Sequence, residues 1–305
     1  MARIKRVKLP TTAWYHLVAR VTNQEFLLET NGKKSRFIDF LYRSLDFSGV
    51  ELGTYAIMDN HIHLFVRVPE ACELNDEEIL RRISVLNGEN RAKAVRERWE
   101  AWQESGQEIC YKADRTRYLR RMYDVSQFMK TLKELFTMWY NRTYRHVGTL
   151  WTDRFKSVLV EGGDYAERVR AYIEANPVRA GIVNNPTDYF WSGIGAAKRG
   201  DPVAKQGQAL LAGECVSEIG SGKEDVRTNE KGPLVTDLPI VPNRRVIPFS
   251  NGKILGSQRF VTRMVRMMGF FSRRTHAWQL KEIEFRQKVF AALGYKKDFL
   301  SITAA

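Results

Sequence analysis

The chain has 305 residues, a net charge of +14 and a sequence pI near 9.7, enough for one large domain or two smaller ones. Such a positive balance selects a polyanionic partner, nucleic acid first and a membrane surface second. No apolar run is long enough to span a bilayer, the basic N-terminus lacks the apolar core of a signal peptide, and the scattered Cys72, Cys110 and Cys215 exclude a disulfide framework or a cysteine zinc site and fit a reducing cytoplasm.

In chain order, "AWYHLVARV" from Ala13 to Val21 is β-branched and aromatic with rough alternation, which predicts a strand. "KKSRFIDFLYRSLDFSG" follows with Phe37, Phe40, Leu41 and Leu45 at helical spacing and Gly49 as a stop. "VELGTYAIM" and "HIHLFVRV" read as two strands joined by the turn Asp59-Asn60, with Pro69 closing the hairpin. The stretch 73–123 is rich in charge and helix formers and reads as a helical insertion; its "RTRYLRR" cluster is either a basic patch or a solvated helix face. "YDVSQFMKTLKELFTMWYNRTY" is a periodic helix presenting Phe128, Leu132, Leu135, Phe136 and Trp139, with Ser126 as its expected cap. "LWTDRFKSVLVE" is a fourth strand, and "DYAERVRAYIEANPV" a helix over 164–176 that stops at Pro177 and Gly181. These elements predict an α+β domain over 1–197. The region 198–234 reads as a linker rich in Gly, Ser, Glu and Lys. The region 235–305 reads as a small helical C-terminal unit with helices in "GSQRFVTRMVRMMG" and "RTHAWQLKEIEFRQKVFAALG".

Chemistry concentrates in two places. His61 and His63 lie two apart in a strand, so they share one face, and two imidazoles on a rigid strand can chelate one metal ion. A polar surface patch is the alternative. On the 164–176 helix, Tyr172 and Asn176 are four apart and share a face. A phenol can attack phosphorus, and an amide carbonyl is a hard oxygen ligand; a rim aromatic and a helix-end asparagine are the plainer readings. Arg142, Arg145, Arg154, Lys156, Arg168, Arg170 and Arg179 fall between the long helix and the end of the tyrosine helix, interleaved with Trp139, Tyr140, Trp151 and Phe155. Cations hold phosphates and aromatics stack on unpaired bases.

The segments "NHIHLFVRV", "FMKTLKELFTMWYNRTYRHVGTLWTDRFKSVLVE", "YIEANPVRAGIV" and "YFWSG" together resemble the REP-associated tyrosine transposases. These belong to the single-tyrosine HUH transposase superfamily of insertion-sequence transposases that act on single-stranded DNA. The resemblance spans about residues 9–195, and "FSNGKILGSQRFV" resembles a C-terminal segment of some members. The stretch 73–123 is longer than the family pattern. The resemblance implies a ferredoxin-like antiparallel sheet with helices packed on it. It implies His61, His63 and Asn176 as ligands of Mg²⁺ or Mn²⁺, and Tyr172 as the nucleophile that becomes joined to a 5′-phosphate. The partners expected are single-stranded or hairpin DNA, with no membrane, in a monomer or homodimer that is cytoplasmic and nucleoid-associated. Three other readings remain beside this one. The chain could be a non-catalytic DNA-binding descendant of a transposase, or a metal-dependent hydrolase that uses water. Its C-terminal unit could be a helix-turn-helix reader of duplex DNA, but an accessory helical pair packing on the catalytic domain, or a dimer contact, is the favoured reading.

Overall fold

The structure, a computed structural model, describes residues 6–219, 253–267, 278–284 and 288–294. The first part of the chain runs β1 (Ala13–Arg20), α1 (Asn31–Ser48), β2 (Glu51–Ile57) and β3 (His61–Val68). Three helices follow, α2 (Asp76–Asn87), α3 (Glu89–Glu104) and α4 (Glu108–Leu119), and then α5 (Val125–Tyr144) and β4 (Lys156–Val160). Without α2–α4 this is the βαββαβ order of a ferredoxin-like fold. The strands lie in the matching spatial order β2-β3-β1-β4, every pair antiparallel. The α+β class and the ferredoxin-like order of elements agree with the sequence reading.

Alternation assigns each strand residue to a face. On β3, Ile62, Leu64, Val66 and Val68 enter a core with Phe37, Phe40, Leu41 and Leu45 of α1 and Phe128, Leu132 and Phe136 of α5. Both helices therefore cover one side of the sheet. Thr30 starts α1 by accepting from the Lys33 N–H, and Gly49 ends it at φ 68°. The cap of α5 is Asp124, not Ser126: its carboxylate accepts from the N–H groups of Ser126 and Gln127.

On the other face lie α6 (Asp164–Glu174) and the short α7 (Asn176–Arg179). Val169, Tyr172 and Ile173 of α6 pack there on Trp14, Ala56, Phe65, Val158 and Val160. The sequence places Tyr172 and Asn176 on one helix; the structure breaks it at Ala175. Pro177 has no N–H to offer the Ile173 carbonyl. The Asn176 side chain supplies the missing donor, its Nδ2 donating to Tyr172 O at 3.2 Å and to Ile173 O at 3.1 Å.

The insertion 73–123 forms α2–α4 as expected and builds its own core around Ile79, Ile83, Val95 and Trp99, docked on α1 through Phe47. Three of the four arginines of its basic cluster make internal contacts, and Arg120 is exposed. Arg115 pairs with Asp76 at 2.8 Å, Arg117 with Asp114 at 2.8 Å, and Arg121 lies over the Phe47 ring at 4.7 Å. The solvated and structural reading of "RTRYLRR" is the one the fold supports.

The expected linker is helical over much of its length. After α8 (Gly193–Lys198), α9 (Pro202–Ile219) lies along β2. Gly207 makes this approach possible, since a Cβ there would stand 2.5 Å from the carbonyl oxygens of Leu52 and Gly53. Together α8 and α9 cover the open edge of β2, where an isolated bridge joins Ala56 to Ser192. Residues 220–234 lie outside the described residues.

The helical C-terminal unit is corrected more sharply. β5 (Ile254–Gly256) pairs parallel to β4, and α10 (Gln258–Met267) follows as expected. The second expected helix is instead a hairpin, β6 (Trp278–Glu284) and β7 (Lys288–Gly294), and β7 pairs antiparallel with β5. The sheet thus has seven strands in the order β2-β3-β1-β4-β5-β7-β6. An unpaired β5 edge offers backbone hydrogen bonds that outweigh the modest helix preference of this segment. Val261 and Met264 of α10 join the core shared by α1 and α5.

Candidate active site

The face of the sheet covered by α6 carries His61, His63 and Phe65 from β3. Its neighbour β1 brings Arg20 opposite His61, Val18 opposite His63, and His16 opposite Phe65. Lys156 of β4 lies opposite Val18 on the same face. The face therefore gathers three imidazoles and two cations at one end of the sheet.

His61 and His63 stand with ring centroids 5.0 Å apart. His61 Nδ1 lies 2.6 Å from Asn60 Oδ1, an acceptor, so this imidazole carries its proton on Nδ1 and its lone pair on Nε2. His63 is nearly sealed off. Its Nδ1 is 2.9 Å from Nε2 of the fully buried His16. When His63 donates in that bond, its lone pair also sits on Nε2. Burial pushes the His63 pKa well below its ordinary value, helped by His61, His16, Arg179 and Arg20. The ring is neutral at physiological pH, the state in which imidazole binds metal. His16 is the site residue that the sequence reading passed over. Its signal was the alternation Trp14, His16, Val18, Arg20 on one strand face, which becomes meaningful only beside β3.

Tyr172 meets this group from α6. Its ring is edge-on to His16 at 6.1 Å and to His63 at 6.3 Å. One chain therefore brings the tyrosine and both candidate metal-binding histidines together without a second subunit. Arg179 covers the outside of the ring: its Cζ is 4.0 Å from the centroid, and Nη2 donates to Tyr172 O and to Asn176 Oδ1, each at 2.8 Å. Arg179 is thus a neighbour of the tyrosine rather than an outlying surface cation. Burial lowers its pKa, opposed by Tyr172.

Asn176 is brought to the end of α6, where its amide closes two carbonyls and its oxygen accepts from Arg179. Glu174 has a different place. It is fully buried, with Oε1 accepting from Thr54 Oγ1 at 2.8 Å and Gln208 Nε2 at 2.9 Å, and Oε2 accepting from Arg170 Nη1 at 2.8 Å. It ties α6 to β2 and α9.

Of the expected DNA-contacting residues, Arg142, Arg145, Arg154 and Lys156 are exposed. The loop that carries Arg154 abuts the end of β1 through Thr152 N–H, which donates to Arg20 O at 3.1 Å. Trp151 is a correction. It is 5% exposed, packs with Phe37 and Phe136, and donates from Nε1 to Thr137 Oγ1 at 3.1 Å. Its ring cannot stack on a base without leaving the core. At the end of α5 an accessible aromatic surface is Tyr144, 46% exposed and 4.6 Å from the Tyr140 ring, with His146 beside Tyr140 at 5.8 Å.

Among the described residues no three His, Cys, Asp or Glu side chains converge on one point. The candidate donors are the imidazoles of His61 and His63 and, at the end of α6, the amide oxygen of Asn176, which here accepts from Arg179. Such a set is chemically fit for a divalent ion that takes its remaining ligands from a phosphate and water.

A tyrosine beside paired imidazoles on a cation-bearing sheet face is equipped for phosphoryl transfer. The model of the IS200-like transposase family matches residues 11–105 and 81–176, together more than half of the chain. The protein belongs to this transposase family. The two matches overlap on 81–105, within α2 and α3, where the insertion interrupts the βαββαβ order. A solved structure described as a REP-associated tyrosine transposase bound to a REP hairpin is 15% identical, aligned over 67% of this chain and 90% of that one, with a TM-score of 0.43. A comparison with curated proteins finds no match. Among the described residues no helix is long and apolar enough to cross a membrane.

Proposed function

We propose that the protein is a metal-dependent DNA strand transferase that cuts and rejoins single-stranded DNA beside a hairpin, with Tyr172 as nucleophile. The observation that carries this reading is the meeting of Tyr172 with the His61–His63 pair inside one chain, under the cation Arg179.

His61 and His63 would hold the ion through Nε2, with Asn176 Oδ1 as the third protein donor. A bound Mn²⁺ or Mg²⁺ supplies charge neutralisation and polarises the scissile phosphate. His16 keeps His63 oriented. Tyr172 O attacks phosphorus, the phenolic proton is released, and the departing 3′-oxygen takes one up. The 5′-phosphate is then joined to the tyrosine, and a new 3′-hydroxyl reverses the step. The phosphotyrosine bond conserves the phosphodiester energy, so no nucleotide cofactor is required. Arg20, Lys156 and Arg179 line the approach with positive charge, and Tyr140 and Tyr144 offer a face for an unpaired base. Arg179 now bonds the Asn176 oxygen; an incoming phosphate competes for that guanidinium and would release the oxygen for the ion.

The test is covalent capture. Wild-type protein, incubated with hairpin-bearing single strands and Mn²⁺, should yield a protein–DNA adduct that survives denaturation. Tyr172→Phe should yield none while still binding the DNA. An adduct retained in Tyr172→Phe would move the nucleophile elsewhere, with Tyr165 the next to replace. A wild-type protein that binds DNA and never forms an adduct would favour the non-catalytic DNA-binding reading.

A further inference from the structure

Four cations converge outside the histidine–tyrosine site, from four separate parts of the chain. Arg6 precedes β1, Lys133 lies on α5, Arg154 on the loop before β4, and Lys253 at the start of β5. Their placement is fixed by the loop that carries Arg154. Arg6 Nη2 donates to Phe155 O at 3.1 Å, and its guanidinium lies 3.5 Å from the Phe155 ring centroid. Lys133 Nζ donates to Asp153 O at 3.1 Å and sits over the Trp151 ring at 5.5 Å. Two cations thus bracket the exposed Arg154 from either side. Lys253 is held alongside, its carbonyl accepting from the Leu159 N–H at 2.9 Å.

Arg6 and Lys133 touch carbonyls, ring faces and, from Arg6 Nη1 at 3.4 Å, the Ser126 hydroxyl; none of these contacts is with an acid. The acids acting on them among the described residues are Asp124, already paired with Lys8 at 2.6 Å, and Asp153. The cations therefore repel one another with little compensation. Burial first, then Arg154, pulls the Arg6 pKa down to about 10, and burial then Arg6 brings Lys133 down to about 8. Burial lowers Lys253 too, followed by Arg6 and Arg154. A cluster of like charges that the free protein tolerates at a cost is relieved by an anion with several oxygens.

The geometry points to a second phosphate site, formed by Arg6, Lys133, Arg154 and Lys253, that holds the sugar–phosphate backbone of the DNA outside the stretch being cut. This rests on the reading of the protein as a DNA strand transferase. Lys156, two residues after Arg154, stands opposite Val18, which stands opposite His63. Two interstrand steps are about 10 Å, which is the backbone separation of Lys156 from His63; Arg6 and Lys133 lie on the α5 side of the sheet, so the DNA strand would reach the cluster round the loop that carries Arg154.

The experiment measures binding of a hairpin with a single-stranded flank as a function of salt, in the Tyr172→Phe background so that no adduct forms. Lys133→Gln and Lys253→Gln are made singly and together. Each lost phosphate contact should lower the log–log salt slope by about 0.7 if the strand there is single and about 0.9 if it is duplex. The double variant should therefore lose about 1.4 to 1.8 in slope. The free variants should melt at the same temperature as the parent or higher, because repulsion has been removed. Unchanged slopes in both variants, in a protein that binds DNA, would overturn the site while leaving the functional reading intact. A lowered melting temperature with an unchanged slope would make the cluster structural. A parent protein that binds no DNA would overturn the functional reading, and this site with it.

Discussion

Glu174 and Asn176 are both oxygen-bearing residues just after Tyr172, and the structure separates their roles by energy. Glu174 is fully buried and receives three hydrogen bonds, from Thr54, Gln208 and Arg170. Burial raises its pKa, opposed by Arg170, Gln208 and Thr54. Glu174→Ala removes all three acceptor contacts and one partner of Arg170, whose side chain is 18% exposed. Breaking a buried pair costs roughly 3–5 kcal/mol. Arg170 keeps Glu167 at 2.7 Å and Gln208 at 3.2 Å, so the lower end, about 3 kcal/mol, applies. At ~2–4 °C per kcal/mol for a large domain, the melting temperature should fall by about 6–12 °C. Glu174→Gln keeps the shape and the bonds from Thr54 and Gln208, and loses mainly the Arg170 bond. Because burial already disfavours the charge, its cost should be about 1 kcal/mol. Asn176→Ala should also cost about 1 kcal/mol, since the two carbonyls it closes can turn to water. Circular dichroism melts should show Glu174→Ala as the least stable of the three. Adduct formation with Mn²⁺ well below each transition gives a different order: Glu174→Gln near wild type, Glu174→Ala active where folded, Asn176→Ala inactive. A folded Glu174→Gln without adduct, beside a normal Asn176→Ala, would refute the reasoning and make the carboxylate the ligand.

Three further outcomes follow from named contacts. His16→Ala should weaken Mn²⁺ binding by roughly 10–100-fold in calorimetry, and His16→Gln, whose carbonyl can still accept from His63 Nδ1, should recover part of it; unchanged affinity would remove His16 from the site. DNA affinity should fall as pH rises through about 8, because Lys133 loses its proton there in the free protein and must regain it on a phosphate; the groups facing it are Arg6, the Asp153 carboxylate and the Trp151 ring. In Lys133→Gln that step should vanish from the anisotropy titrations, and its persistence would assign it to another group. Trp151→Phe should lower stability by about 1 kcal/mol through loss of the Thr137 bond and leave DNA affinity unchanged; a large affinity loss at unchanged melting temperature would restore Trp151 as a base-stacking residue.

The sequence by itself determined the parts whose information is local. Period-2 alternation put His61 and His63 on one face of β3 with Ile62 and Leu64 on the other, and helical spacing picked out the buried stripes of α1 and α5. The same spacing placed Tyr172 near Asn176. What only the tertiary structure decided is which faces meet. His16 looked like any strand residue until β1 paired with β3 and set its Nε2 against His63. Trp151 and Arg154 are three apart in one basic, aromatic loop, yet one is core and the other exposed, because the Val21–Trp151 bridge turns the indole under α5. The segment from Trp278 to Gly294 follows the same logic: its strand state comes from the free edge of β5, far away in the chain. Periodicity records the side a residue turns towards. Non-local backbone pairing and burial choose what waits on that side, and the candidate site and the cation cluster both arise from that choice.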